Sequence, residues 1–355
     1  MYIIQRYIIK NVIVSTALIF MVVLALCFVT GMLRELNTLG EGDYGFLQVF
    51  LHELLLLPHA IYQFFPMLVL LGGVVGLGML AANHELMVFR ASGVSVSRIV
   101  FAVINAALIL IVISTLIGEW VAPRANYFAE KHKSLALSFG QAVVTLSGVW
   151  IHEGNNFIHI DRVIGRHHLQ GVTRYEFDDK HHLLAAYSAE SLDFKNNQWM
   201  AHELMKTAIM QDKTQSEYFP LATWDLNLTP NLLNVGLVEA EAMSLVKLKE
   251  YTDYLIKNQM QATAFQLSYW QRIFQPITTL VMLLLAVPFV FASPRSSTMG
   301  KRILLAVIIG FVFHILNAFL GEFSVVFQFP PIIAAALPTI LFAMIGIGWL
   351  WRVRV

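Results

Sequence analysis

Three His-Glu-Leu triplets are the clearest places where this sequence could support metal chemistry. They are His52-Glu53-Leu54, His84-Glu85-Leu86 and His202-Glu203-Leu204. A zinc protease requires HExxH, because ligands four positions apart share one helix face and the glutamate then reaches the metal-bound water. The position of the second histidine holds Leu56, Val88 or Lys206 instead. The triplets therefore do not predict a metalloprotease.

Other patterns for metal binding and catalysis also fail. The pairs His167-His168 and His181-His182 suit one metal poorly, since neighbouring residues on a strand point to opposite faces; we interpret them as solvated side chains beside turns. Gly300-Lys301 lacks the first glycine and the hydroxyl residue of a phosphate-binding loop. No GxSxG pattern is present, and the single cysteine, Cys27, allows neither a disulfide nor a cysteine metal site. Enzymes such as an intramembrane hydrolase are therefore the weaker class of hypothesis.

A short charged segment, ANHELMVFRASGVS at 82–95, interrupts two strongly apolar runs. It combines one acid with apolar side chains and a basic residue, and its candidate docking residues are Glu85, Met87, Val88, Phe89 and Arg90. In an ATP-driven transporter, a helix of this kind docks into a groove of a separate nucleotide-binding subunit, and Gly93 suits the turn after it. The alternative is a charged loop that only fixes the orientation of the flanking spans.

Basic residues follow two of the apolar runs. Arg34 comes after the first run, and Arg124, Lys131 and Lys133 come after the third. Ammonium and guanidinium groups pair strongly with phosphate, so these residues could bind a phosphorylated lipid headgroup. Ordinary anchoring of span ends is the alternative, and Glu130 weakens the case for a purely anionic ligand. We interpret Glu119, at the end of the third run, as structural, and Arg272 as similarly placed at a membrane border.

The composition indicates which elements must position these residues. The chain has 355 residues, of which 57% are hydrophobic and 13% charged, and its mean hydropathy is +0.65. One soluble core cannot bury that much apolar surface. The net charge of +1 gives no indication of nucleic-acid binding.

Six uncharged runs approach or exceed the roughly 20 residues that a helix needs to cross the hydrocarbon layer. They are Asn11–Leu33, Leu54–Asn83, Ile99–Gly118, Ile273–Pro294, Ile303–Gly321 and Phe323–Trp351. The second and sixth runs are longer than required and contain prolines, which predicts a loop, a kink or a tilt. We interpret the first run as a retained span, because a signal peptide has a shorter apolar region.

Lysine and arginine in the short loops predict the orientation of these spans. One set of loops holds nine such residues, whereas the opposite set holds Arg34 alone. Both termini and the segment 82–95 are therefore expected in the cytoplasm, and the long excursion after Pro123 is expected on the far side.

That excursion alternates in the manner of β-structure. GVWIHEGNNFIHIDRV predicts two short strands around a turn, and further strand-like segments follow between turn-rich stretches. This pattern favours an all-β sandwich or jelly roll, and after Asn231 the spacing becomes helical. The predicted domains are residues 1–122, with three spans and a coupling helix at about 83–98; 123–265, with the β-jelly roll and flanking helices; and 266–355, with three spans.

Several long motifs, in this order, resemble the LptF/LptG family of lipopolysaccharide export permeases of Gram-negative bacteria, and especially its LptG branch. The motifs are FFPMLVLLGGVVGLGMLAANHELMVFRASGVS, IGEWVAPRANYFAE, GVWIHEGNNFIHIDRV, YWQRIFQPITTLVMLLLAVPF and FPPIIAAALP. The resemblance covers nearly the whole chain. It implies a polytopic α-helical inner-membrane protein with six transmembrane helices and a periplasmic β-jelly-roll domain inserted between helices 3 and 4.

The resemblance also implies a function: extraction of lipopolysaccharide from the outer leaflet of the inner membrane and its transfer to a periplasmic β-jelly-roll bridge. The implied partners are a paralogous LptF-like permease, a homodimeric LptB-like cytoplasmic ATPase that binds ATP and Mg²⁺, and LptC-like and LptA-like jelly-roll proteins. No cofactor is expected in this chain. Lipid would enter between the first span of one permease and the fifth span of the other. A non-transporting scaffold that presents its β-domain to a partner is the alternative.

At the level of residues, the resemblance implies that Glu85 is the acid of the coupling helix. It also implies that Arg34 and Lys133 contact the lipid headgroup, and we add Lys131 as a third candidate. The sequence departs from the family at Glu130 and at Gly40-Glu41, where relatives carry basic residues.

Overall fold

The computed structural model describes residues 2–137, 149–153, 155–164, 168–178, 182–195, 198–210, 213–224, 240, 243–257, 261–292 and 298–354. The chain divides into two compact units. The helical unit comprises residues 1–34, 53–126 and 263–355, and the β unit comprises residues 35–52 and 127–262.

Long apolar runs form helices because a helix satisfies its backbone hydrogen bonds internally, without water. The helices of the described residues are α1 (Tyr2–Glu35), α2 (Phe46–Ala82), α3 (Glu85–Ala91), α4 (Val96–Leu116), α5 (Ala122–Leu137), α6 (Leu245–Lys257), α7 (Thr263–Ala292), α8 (Met299–Phe327) and α9 (Pro331–Arg354). One π-helical turn, Ile117–Val121, joins α4 to α5. Within the described ranges, six helical stretches are long and apolar enough to cross a membrane: α1, α2, α4 with α5, α7, α8 and α9. The prediction of six spans is confirmed.

The boundary between the last two helices differs from the boundary between the fifth and sixth apolar runs. The predicted sixth run began at Phe323, but α8 continues to Phe327. The residue after it, Gln328, has a left-handed φ of 52° and ends the helix. The last helix then begins at Pro331, a residue that suits a first helical position because it has no N–H to satisfy. The prolines inside α2, by contrast, do not interrupt that helix.

Small residues allow α2 to pack tightly at the centre of the helical unit. A Cβ at Gly72 would collide with the backbone of Thr16 on α1, and one at Gly73 would lie 3.0 Å from Ala286 on α7. Such close approach is how small residues stabilise helix pairs in membranes. In their most apolar windows, 72% of the residues of α2 are buried, against 17% in α1 and in α8.

The β unit contains the predicted inserted β-domain. Its described strands form one antiparallel sheet in consecutive order: β1 (Val149–Glu153), β2 (Asn156–Ile164), β3 (His168–Phe177), β4 (Leu183–Lys195), β5 (Gln198–Ile209) and β6 (Thr214–Trp224). Alternate residues such as Ile158 and Ile160 are fully buried, and Trp199 and Trp224 complete the same core, as expected for strands with one buried face. The helical spacing predicted after Asn231 is confirmed by α6, although Asn231 itself lies outside the described residues.

Candidate functional site

The charged segment between α2 and α4 forms a short helix, α3, held between two left-handed residues. His84 precedes the helix with a φ of 61°, and Gly93 follows it with a φ of 87°. Glycine adopts this conformation without steric cost, so the chain turns at Gly93 as predicted. The helical part, Glu85–Ala91, is shorter than the segment of about 83–98 that the sequence indicated.

The predicted docking residues of α3 divide between two faces. Leu86 is buried, and Phe89 packs half-buried against the same helical core; positions three apart share a helix face. Met87 and Val88 are 56% and 62% exposed, and Arg90 is exposed beside them. Phe89 therefore anchors α3, whereas Met87, Val88 and Arg90 form a surface, the α3 surface, that is open to a partner.

Glu85 lies at the first position of α3 and is half-buried. The Asn83 side chain donates a hydrogen bond of 3.4 Å to its carboxylate, and the Tyr7 hydroxyl of α1 also interacts with it. Glu85 therefore connects α3 to the first helix within the helical unit, in addition to bordering the α3 surface.

The candidate headgroup residues lie in different surroundings. Arg34 is exposed in the last turn of α1, and Lys131 is exposed on α5. Lys133, two positions beyond Lys131, is partly buried and forms an ion pair: its Nζ donates to Glu35 Oε1 at 2.6 Å. Of the three, Lys133 is thus held by a carboxylate that the sequence reasoning did not identify.

Glu35 belongs to a small polar cluster inside the β unit. Its second carboxylate oxygen, Oε2, accepts hydrogen bonds from Thr38 Oγ1 at 3.1 Å and from the Tyr44 hydroxyl at 3.3 Å. Tyr44 is buried, and the Lys133 ammonium lies 5.9 Å from the centre of its ring. His52, also buried, lies edge-on to Tyr44 and contacts the carbonyl oxygen of Ala129 at 3.2 Å.

A second ion pair lies inside the helical unit, between residues that the sequence placed separately at membrane borders. Arg272 of α7 donates from Nη1 to Glu119 Oε1 at 3.1 Å and to the Gly118 carbonyl at 2.9 Å. Its guanidinium also lies 4.9 Å from the ring centre of Tyr62 on α2. This cluster connects α2, α7 and the π-helical turn, which is the kind of contact expected if Glu119 is structural.

The histidine pairs of the β unit are only partly described, because His167 and His181 lie outside the described residues. His168 is not simply solvated: its Nδ1 lies 2.7 Å from Asp193 Oδ1, and His202 Nε2 lies 3.1 Å from Asp193 Oδ2. His182 is exposed beside a turn and contacts Asp178 at 3.1 Å. The hydrogen bond from His168 lowers the pKa of Asp193, against a smaller opposing effect of burial.

Comparison with known proteins shows which protein family this chain matches. The family model "Lipopolysaccharide export system permease LptF/LptG" matches residues 6–352. The lipopolysaccharide export system permease protein LptG of Escherichia coli (strain K12) is 33% identical over 354 residues, which cover 99% of this chain and 98% of that protein. LptG of Haemophilus influenzae is 32% identical over 348 residues, covering 98% and 97% of the two chains.

Proposed function

This chain belongs to the LptF/LptG family of lipopolysaccharide export permeases, and from that premise we propose that it is the LptG-like half of an ATP-driven exporter in the inner membrane. The partners proposed for it are a paralogous LptF-like permease and a homodimeric LptB-like ATPase, which binds ATP and Mg²⁺. LptC-like and LptA-like jelly-roll proteins would receive the lipid. The chain itself is a transporter subunit and not a catalyst.

The observation that carries the proposal is the α3 surface. A loop that only fixed the orientation of the spans would need no helix anchored by Leu86 and Phe89, nor two exposed apolar side chains, Met87 and Val88, beside it. Burying a side chain such as that of Met87 or Val88 stabilises a contact by about 1.5–3 kcal/mol. The surface therefore favours docking into a groove of an ATPase subunit, with Glu85 at its edge.

The orientation follows from the short loops, of which one set carries nine lysines and arginines and the other only Arg34. Both termini and α3 are proposed to lie in the cytoplasm, where ATP is available. The β-domain is then proposed to lie in the periplasm. In this arrangement the motor acts on one end of the helical unit and the lipid leaves at the other.

The second permease is proposed to cover the least buried helices, α1 and α8. Both expose large apolar side chains along much of their length. Lipopolysaccharide would enter between α1 of one permease and α8 of the other, which agrees with the resemblance described above. The exposed cations Arg34 and Lys131, together with Lys133, are proposed to bind the phosphates of its headgroup.

The proposed mechanism is physical extraction. Closure of the two permeases on ATP binding would shrink the cavity between them and expel the acyl chains upward. Exposing an acyl chain to water costs about 0.8 kcal/mol per methylene, so a lipid with several chains needs both an external energy source and a sheltered path. A β-domain attached to the membrane helices shortens the exposed part of that path.

The replacement Glu85→Ala tests the proposal in the assembled complex, reconstituted in vesicles. ATP-dependent lipopolysaccharide release should fall by about tenfold or more, because a hydrogen bond to a charged group contributes about 1.5–3 kcal/mol. Membrane insertion of the chain should not change. Glu250→Ala is the matched control, since Glu250 is an exposed acid of α6 that belongs to none of the proposed sites, and it should release lipid normally.

Unchanged ATPase association and unchanged lipid release in Glu85→Ala would refute the coupling role. Purification in mild detergent separates the proposal from its rival: an exporter half should bring an ATPase and a second permease. A scaffold that presents the β-domain to a periplasmic partner should bring neither.

A further inference from the structure

Two basic side chains share one row on the core face of the sheet in the β unit. Arg174 on β3 and Lys206 on β5 are the cross-strand partners of Tyr187 on β4, and the Tyr187 ring packs against the apolar core of the unit. The Arg174 guanidinium lies 5.2 Å from the centre of this ring, and the Lys206 ammonium lies 5.6 Å from it. Two like charges are therefore gathered around one neutral aromatic side chain at the edge of the core.

Neither cation forms a hydrogen bond or an ion pair with any of the described residues. The Nε atom of Arg174 is buried without an acceptor, although a buried donor of this kind is normally hydrogen-bonded. Two acids lie nearby, but neither pairs with the cations. Glu176 accepts a hydrogen bond of 2.9 Å from the Tyr187 hydroxyl, and Glu217, the cross-strand partner of Lys206, is exposed to solvent.

Tyr187 does not neutralise the cations. Burial, and after it the hydrogen bond to Glu176, raises the pKa of Tyr187, against a smaller opposing effect of Lys206 and Arg174. The hydroxyl therefore stays protonated at neutral pH and remains a donor to Glu176. The charges of Arg174 and Lys206 are thus available to an anion from outside the chain.

A phosphate group suits this arrangement better than a carboxylate. As a monoester it offers three acceptor oxygens and carries about −1.5 to −2 charges near pH 7, and arginine and lysine both bind it strongly. Asn156, which lies opposite Glu176 in the sheet, also has a buried Oδ1 without a donor. A ligand with a hydroxyl beside its phosphate can donate to that oxygen.

We propose that Arg174 and Lys206 form a binding site for a phosphate group on the core face of the β unit. This site is additional to the candidate headgroup residues Arg34, Lys131 and Lys133. It rests on the proposed function in one respect, namely that a lipid carries the phosphate; inorganic phosphate is the other source of the same chemistry. The β unit then holds the lipid by its charge as well as sheltering its acyl chains.

Protection of Lys206 from acetylation tests the site in the complete permease complex in detergent. The probes are lipid A, lipid A from which the phosphates have been removed, and inorganic phosphate; mass spectrometry measures the acetylation rate of each lysine. Lipid A should slow the acetylation of Lys206 in a saturable manner, and its phosphate-free form should not. Lys195, an exposed lysine of β4, is the internal control, and its rate should not change.

Two variants should shift the concentration of lipid A that gives half-maximal protection, in opposite directions. Arg174→Gln should raise it about tenfold or more, the loss expected for a hydrogen bond to a charged group. Glu176→Gln keeps an acceptor for Tyr187 but removes a nearby negative charge, so it should lower this concentration by up to about fivefold. Lys195→Gln is the matched control for Arg174→Gln, since it removes a positive charge from the same sheet, and it should have no effect.

Equal protection by lipid A and by its phosphate-free form would overturn the proposal, because the acyl chains would then cover Lys206 without the phosphate. Absence of protection by all three probes would overturn it as well, and this measurement does not depend on the folding of Arg174→Gln. Protection by inorganic phosphate alone supports the site and assigns free phosphate as its ligand. A wild-type complex that releases lipopolysaccharide but leaves Lys206 unprotected would refute this site while the exporter proposal stands.

Discussion

At the scale of single residues, we expect the carboxylate of Asp193 to make the stability of the β unit depend on pH in the acid range. Its pKa is lowered, mainly by the hydrogen bond from His168. The ionised carboxylate is therefore more stable in the folded protein than in the unfolded chain. That stabilisation is fully present above the unfolded pKa of about 3.9 and is lost as the pH falls through the lower, folded value. Asp193→Asn should therefore flatten the loss of β-unit stability between neutral pH and pH values below about 4.

Hydrogen exchange of the β4 backbone in the full chain, measured across this pH range, checks the prediction. Glu190→Gln is the control, because Glu190 is an exposed acid on the same strand, and it should keep the wild-type pH dependence. A steep loss of protection in Asp193→Asn, equal to that of the wild type, would show that the carboxylate does not contribute.

The sequence predicts single charged residues better than it predicts their partners. Glu85 stands out because charges at the ends of apolar runs are rare and easily seen, and the family resemblance singles out Lys133. Glu35 is also a charge at the end of an apolar run, but its partner Lys133 lies 98 positions away, and their contact depends on how the chain segments pack. Arg272 and Glu119 were likewise noticed as individual residues and became a pair only in the structure.

At the scale of elements, the Arg272 cluster is expected to hold α7 against α2 and the π-helical turn. The side chain of Arg272 is only 5% exposed, so Arg272→Met would leave Glu119 with a poorly solvated charge. Removing one partner of a buried ion pair typically costs about 3–5 kcal/mol. Thermal unfolding in detergent should show a large loss of stability in Arg272→Met.

The double variant Arg272→Met with Glu119→Gln supplies the control for this prediction. It removes both charges and should recover part of the lost stability, because no uncompensated carboxylate remains. A double variant that is less stable than Arg272→Met by the full cost of Glu119→Gln alone would show that the two residues act independently.

The contact between α1 and α2 gives a second prediction at this scale. Alanine is favoured over glycine in helices by about 1 kcal/mol, so Gly→Ala should stabilise a helix wherever there is room. Gly348 of α9 has no atom within 4 Å of an added Cβ, whereas Gly72 faces the backbone of Thr16. Gly72→Ala should therefore lower the unfolding temperature and Gly348→Ala should not; a gain in both variants would contradict the tight crossing.

Elements were predictable from the sequence where one physical signal dominates. Hydropathy located all six spans, and alternation with turn residues located the strands. The boundary between α8 and α9 was missed because Phe327 and Phe329 on either side of Gln328 are both apolar, so hydropathy does not change there. The polar start of α7 was missed for the converse reason: this helix begins at Thr263, before the apolar run that defines its span. Helix α5, by contrast, lies where the sequence predicted a flanking helix.

At the scale of the whole molecule, the functions are assigned to separate surfaces of one chain. In the proposed exporter, the α3 surface would receive the motor, α1 and α8 would face the second permease, and the cations would receive the lipid. The α3 surface, α1, α8 and the cations Arg34 and Lys131 are exposed in the described chain, whereas Lys133 is partly buried in its ion pair with Glu35. Transport should therefore require all of these surfaces. Altering one of them should impair its own contact and transport, without removing the contacts of the others.

The contact with the second permease provides a prediction that uses two matched positions. Phe311 on α8 and Phe101 on α4 are both phenylalanines, and both side chains are 55% exposed. A photoreactive phenylalanine analogue at Phe311 should crosslink to the paralogous permease in native membranes, because α8 is proposed to face the partner's first helix. The same analogue at Phe101 should label lipid or the ATPase instead, since apolar exposure alone does not make an interface. Equal crosslinking to the second permease from both positions would mean that exposure, rather than a defined interface on α8, governs the contact.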